Sequence, residues 1–269
     1  MKINLICPDC LEEQKKHESS SNAPNPINTR RRLTSYPVHL TNEGMYVVKC
    51  DFGHSSVIGI NLMNHEILFE TGVFAILDGY YREAITSFAA SLERYYEFAI
   101  RSIARAHGCP AFLENKIWKD ISSQSERQLG AYIYLYSIHF KENPQLLSQK
   151  MTEIRNSAVH KGLIPSFDKA ISFGEAVLSI VSEGSAQIMK SVPEASHNVA
   201  SEKNQFSLEK LISEGFKFSG GIQQISSAVR EKISLEKHLQ HIKYHHSQRL
   251  LDEHSKIIEE FDRKNDSLT

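Results

Sequence analysis

Apolar residues recur at spacings of three and four through the middle of the chain. Ala84, Ile85, Phe88, Leu92, Tyr95, Tyr96, Ala99, Ile100 and Ile103 form one stripe, which predicts an amphipathic helix over residues 80–107. Gly108-Cys109-Pro110 stops it. Shorter stripes of the same period predict helices over 66–78, 126–140, 145–161 and 167–190. Asp78-Gly79, Asn143-Pro144, and Gly162 with Pro165 punctuate them. Residues 65–190 therefore read as an all-α bundle of about five helices.

The two flanks carry other patterns. In residues 1–64, Tyr36-Pro37-Val38-His39-Leu40 and Met45-Tyr46-Val47-Val48-Lys49-Cys50 read as strands joined by an Asn42-Glu43-Gly44 turn, with Val57-Ile58-Gly59-Ile60 as a third. A polar stretch from Glu12 to about Asn28 has the chemistry of a loop. Residues 191–203 read as a polar linker. Beyond it, Phe206–Phe218 and Ile222–Phe261 carry a weaker helical period. The narrow stripe of Leu235, Leu239, Ile242, Leu250, Ile257 and Phe261 predicts a helical tail that needs a partner surface, such as a coiled coil with its own copy. The expected division is 1–64, a small β module; 65–190, the bundle; and 191–269, linker and tail.

Composition narrows the function classes. The 269 residues are 41% hydrophobic and 23% charged, a globular balance. No window approaches the ~18 apolar residues of a membrane span, and the first residues show no apolar signal core. A cytoplasmic protein with no membrane partner is expected. With 31 basic and 32 acidic residues the net charge is -1, so the chain does not coat long nucleic acid by bulk charge. A polyanion must be gripped at a small site.

Cys7-x-x-Cys10 and Cys50-x-x-x-His54 supply three thiolates and an imidazole, the donors that zinc takes in tetrahedral structural sites. Each pair sits in a turn, so its side chains converge on one ion. A module this small buries little apolar area and gains from a metal clip. The module looks like a zinc ribbon whose last cysteine is replaced. His39 is a rival fourth ligand. Four protein ligands leave no open position, so one structural zinc per chain is expected, and no catalytic metal.

Near the end of the predicted 145–161 helix stands Arg155-Asn156-Ser157-Ala158-Val159-His160. Asn156 and His160 share a face. Arg155 lies about 140° round the axis, within reach of the same place through its long side chain. Gly162 reads as a C-cap, which puts His160 in the final turn, and a histidine there can act as general acid or base. This Arg-polar-x-x-x-His pattern, late in a helical bundle, resembles the signature of the HEPN superfamily. Leu77-Asp78-Gly79-Tyr80-Tyr81-Arg82-Glu83-Ala84 through Ser91-Leu92-Glu93-Arg94 is similar to that family's first long helices. The resemblance covers about residues 65–190.

The resemblance implies a mainly α fold: a HEPN-type helical bundle with a small N-terminal β zinc-ribbon module and a helical C-terminal tail. It implies a metal-independent endoribonuclease in which Arg155, Asn156 and His160 are the catalytic arginine, its following polar residue and the catalytic histidine. The family usually acts as a homodimer whose motifs meet in one cleft, and many members are prokaryotic toxins or antiviral effectors. Expected partners are RNA, with compact targets such as a tRNA loop suiting the weak surface charge, a second copy, and a regulatory protein or phage trigger. The alternative is a non-catalytic HEPN module that dimerises and binds a protein or nucleic-acid partner. Glu93 is a candidate to orient Arg155 or His160, and Arg30-Arg31-Arg32 to hold phosphate. His238, His241, His245, His246 and His254 cluster in the tail, as solvated or interfacial side chains.

Overall fold

A computed structural model describes residues 2–20, 35–216, 222–223 and 227–243. The chain is mainly helical, with a small β region built on its N-terminal part. The β region comprises β1 (Lys2–Ile6), β2 (Ser35–His39), β3 (Met45–Lys49), β4 (Ser55–Ile60) and β5 (Ile222–Gln223), with helix α1 (Pro8–Ser20) after β1. The bundle comprises α2 (Asn64–Leu77), α3 (Tyr81–Ala106), α4 (Ala111–Ile121), α5 (Ser125–Phe140), α6 (Gln149–His160), α7 (Phe167–Ser191), α8 (Pro193–Ser213) and α9 (Ala228–Glu231). Residues 235–243 are helical as well.

Helix α3 is the central post. Its buried face carries the predicted stripe, and α2, α5, α6, α7 and α8 pack round it. Phe69, Phe88, Tyr95, Tyr132 and Phe173 are fully buried where these helices meet, each large ring contributing about 1.5–3 kcal/mol through burial. The hydroxyls of Tyr95 and Tyr132 satisfy each other at 3.0 Å, which removes the penalty of burying them alone. Ser148 and Ser166 cap α6 and α7, their hydroxyls accepting from the backbone N–H of Met151 and Lys169. Gly162 adopts φ +67 just beyond α6, a left-handed turn that any side chain would strain.

Five predicted helices stand within a few residues of their expected ends, as α2, α3, α5, α6 and α7. Four local expectations are corrected. The strands either side of Asn42-Glu43-Gly44 are not a hairpin: β2 pairs antiparallel with β1, and β3 pairs antiparallel with β4. The missed strand β1 is what claims β2. The polar stretch from Glu12 begins as helix, because Pro8 opens α1 and no breaker intervenes before Ser20. The expected linker 191–203 is helical apart from Val192: Ser191 ends α7, and Pro193 starts the first turn of α8, which holds the rest.

The fourth correction concerns the tail. Its described part needs no second copy, because it packs on its own bundle. Ala228, Val229, Leu235 and Leu239 are buried in the main core, and β5 adds to β4 in parallel. Two buried carboxylates of α2 hold it there. Glu66 takes the Arg230 guanidinium, and Glu70 accepts from the Ala228 backbone N–H at 2.8 Å and pairs with His238 Nε2 at 2.8 Å. His238 is therefore a core residue, at 2% exposure. His245, His246, His254 and the later stripe residues Leu250, Ile257 and Phe261 lie outside the described residues, as do Arg30-Arg31-Arg32. No helix among the described residues is long and apolar enough to cross a membrane.

Candidate functional site

The four predicted metal ligands come together at the edge of the β region. Cys7 follows β1, and Cys10 stands in the first turn of α1. Cys50 and His54 bracket the tight β3–β4 turn. There the Gly53 N–H donates to the Cys50 carbonyl and the Cys50 N–H donates to the His54 carbonyl, both at 3.0 Å. Gly53 has φ +85, so glycine is required for the turn. The four ligand atoms lie within 4.8 Å of one another. Cys10 Sγ is 3.7 Å from Cys50 Sγ, and His54 Nδ1 is 3.3 Å from Cys10 Sγ and 3.8 Å from Cys7 Sγ. A tetrahedral ion with ordinary zinc–sulfur bonds sets sulfur–sulfur separations of about 3.8 Å. His39 is exposed on β2 and is not part of the group.

The electrostatics agree with a cation site. Burial and the crowding of Cys50 and Cys7 push the Cys10 thiol up to about 12. For Cys50, burial opposes ionisation, but the backbone N–H groups of Phe52 and His54 and the thiols of Cys10 and Cys7 outweigh it and lower its thiol below the usual range. One thiolate is favoured and the next resisted, a conflict that a bound cation resolves. The other ring nitrogen of His54, Nε2, lies 3.3 Å from Glu13 Oε1, the carboxylate backing that orients a ligating imidazole. Ser56 donates to Asp9 at 2.6 Å and touches Cys7 Sγ at 3.5 Å, tying α1 to β4 behind the ligands. These residues can hold a metal ion.

The second site is on α6. Arg155 Nη2 donates to Glu93 Oε1 at 3.0 Å across to α3. Its Nη1 donates to Asn156 Oδ1 at 3.1 Å and lies 3.4 Å from His160 Nε2. The three motif residues and Glu93 therefore form one contiguous group. Arg82 Nε donates to the Ala158 carbonyl at 3.1 Å, which ties the last turn of α6 to the start of α3 and satisfies one of that helix's otherwise unpaired carbonyls. Ala158 is buried and His160 exposed, so the helix is anchored on one side while the imidazole faces outward.

Arg155, Asn156, His160 and Glu93 are among the residues that line a cavity of about 400 Å³. Leu92 and Tyr96 of α3, Leu129 of α5 and Leu146-Leu147 of the α5–α6 connection form its apolar walls, with Glu126 on the α5 side. Sequence reasoning named Glu93 but not these walls. The one available signal was a pair of adjacent leucines in a connection otherwise rich in stops. Comparisons of the chain with protein-family models, with curated proteins and with solved structures return no match.

Proposed function

We propose that this chain is a HEPN-type, metal-independent endoribonuclease, a prokaryotic toxin or anti-phage effector, in which Arg155, Asn156 and His160 act at a composite site formed by two copies. The observation that supports it best is the grouping of guanidinium and imidazole 3.4 Å apart on the lining of a cavity, on an anchored helix end. In the free chain Arg155 Nη1 faces the His160 Nε2 lone pair; when that edge of the guanidinium turns to a bound phosphate, the lone pair is freed. It is then placed to take a ribose 2′-hydroxyl proton as the oxygen attacks the adjacent phosphorus. The planar fork of Arg155 stabilises the charge that grows on the phosphorane. Asn156 holds one edge of that fork, and Glu93 holds another.

The leaving 5′ oxygen needs an acid, and the described residues of one chain offer a single histidine at this place. A second copy brings the second imidazole, which gives dimerisation a chemical reason. The products carry 2′,3′-cyclic phosphate and 5′-hydroxyl ends, and DNA is spared because it lacks the nucleophile. The four-ligand group at Cys7, Cys10, Cys50 and His54 holds a structural zinc. Bound there, zinc supplies cross-linking of α1 to the β3–β4 turn, and no chemistry at α6.

The deciding experiment incubates the wild-type, His160→Ala and Arg155→Ala proteins with total cellular RNA under excess chelator and maps the fragment ends. Cleavage by the wild type alone, leaving cyclic phosphates, is expected. Cleavage that survives in His160→Ala defeats the assignment.

A further inference from the structure

The cavity beside the motif has two kinds of lining. Arg155, Asn156 and His160, all on α6, suit a phosphate and a ribose hydroxyl. Leu92, Tyr96, Leu129, Leu146 and Leu147 suit a flat apolar ring system, with the polar Ser125, Glu126 and Thr152 among them. The two together in one cavity fit a single nucleotide. The about 400 Å³ available is enough for one base with its sugar.

The wall also carries a choice among bases. Glu126 lies on it, exposed in the first turn of α5. One of its oxygens, Oε2, accepts from Ser125 Oγ at 3.4 Å. A carboxylate accepts only, and it pairs best with two adjacent N–H donors in a plane. Guanine presents such a pair on its Watson–Crick edge. Adenine and cytosine present one amino group there and uracil one imino N–H. Tyr96 is held against Tyr132 with ring centroids 4.5 Å apart, so that wall is fixed before any base arrives.

We propose that this cavity receives one unpaired guanine, the base of the nucleotide whose 2′-hydroxyl attacks, so that cutting falls on the 3′ side of guanosine. The proposal rests on the ribonuclease reading above for the position of the cut, but not for the binding of the base. A base against the apolar lining sets its own ribose next to His160 and its 3′-phosphate against Arg155. Such a base must be unstacked to enter, which restricts substrates to single-stranded loops and ends.

The probe is guanosine 3′-monophosphate, with the adenosine, cytidine and uridine 3′-monophosphates beside it, titrated calorimetrically into the full chain. Guanosine 3′-monophosphate should bind at least about tenfold tighter than the other three. His160→Ala should retain that preference. Leu146→Trp, at a 40% exposed position that tolerates a larger side chain, should weaken binding about tenfold or more by filling the cavity, with thermal melting showing that it stays folded. Glu126→Gln should erase the preference for guanine while leaving weaker binding of all four. Equal binding of the four nucleotides, no binding, or no effect of Leu146→Trp overturns the proposal. RNA cleavage with no bias for guanosine 5′ of the cut overturns it too, and leaves the ribonuclease standing. Guanosine 3′-monophosphate binding by a wild-type chain that cuts no RNA upholds the base site and removes the ribonuclease.

Discussion

Glu93 Oε1 stands 3.0 Å from Arg155 Nη2, so the arginine of the motif is held from α3 and not only from its own helix. The pair is half-buried, at 30% and 20% side-chain exposure, and its contribution to stability is therefore small. Its consequence lies in geometry. Glu93 fixes the plane of the guanidinium and leaves the Nη1 edge toward His160.

Glu93→Gln keeps a hydrogen-bond acceptor but removes the charge. It should lower kcat about ten- to a hundredfold, because a small misplacement of a reacting group carries a cost of that size. KM should change less than threefold and thermal stability little. Steady-state kinetics on a short RNA check this. A large rise in KM with kcat intact would place Glu93 in substrate binding instead.

Metal removal should act at a distance from the motif. Purified protein that has never met chelator should carry about one zinc per chain, and Cys10→Ser close to none. The Cys10→Ser protein should melt at a lower temperature while retaining measurable RNA cleavage. Elemental analysis with melting curves reads both. A zinc ratio near zero in the wild type counts against the metal site.

Stability should also fall in mild acid. His65 is buried between Tyr95 and Phe98, and burial lowers its imidazole to about 4, with Arg230 adding to the effect and Glu66 opposing it. The folded value lies below the unfolded one, so the unfolded chain takes up the proton first. The contribution is complete above about pH 6.5 and is lost as the pH drops toward 4. The gap corresponds to about 3 kcal/mol. Denaturant melts between pH 7 and 4 should show this slope in the wild type, and His65→Phe should flatten it.

A fourth test concerns the helix interfaces. A Cβ on Gly174 would stand 2.6 Å from Leu235 Cδ2 and 2.8 Å from Phe88 Cε2. Both neighbours are fully buried and cannot swing out. Gly174→Ala should destabilise the protein by about 1–3 kcal/mol through overpacking, despite the better helix propensity of alanine. Chemical denaturation measures it, and a more stable variant would show that residues 235–243 are not seated on α7.

Legibility from the amino-acid order followed burial. Helix α3 was legible because its buried positions form one stripe. Helix α4 was not, because its one buried residue is Glu114, held by Arg101 and Arg105, while Phe112, Leu113 and Ile117 are exposed. The thiol and imidazole pairs were legible because each is local, although the hairpin expected between them was wrong. The polypeptide brings the pairs together instead through α1 packing on β4. At α6, the spacing of Arg155, Asn156 and His160 was enough to place them together. The cavity walls come from α3, α5 and a connection, and only tertiary packing assembles those. The tail misled because Leu235 and Leu239 show a narrow stripe whichever surface covers them. Nothing local distinguishes a second copy from the chain's own α2 and α7.

The seating of Leu235 against Phe88 and Gly174 sets an order of events. Synthesis runs from the amino end, so α2, α3 and α7 leave the ribosome with a groove still empty, with Glu70 lacking the Ala228 N–H and His238, and with Glu66 holding the Met63 N–H but not yet Arg230. The bundle reaches its final packing only once residues 227–239 emerge to fill that groove. The groove between α2, α3 and α7 is thereby sealed last, by chain made after every helix that forms it.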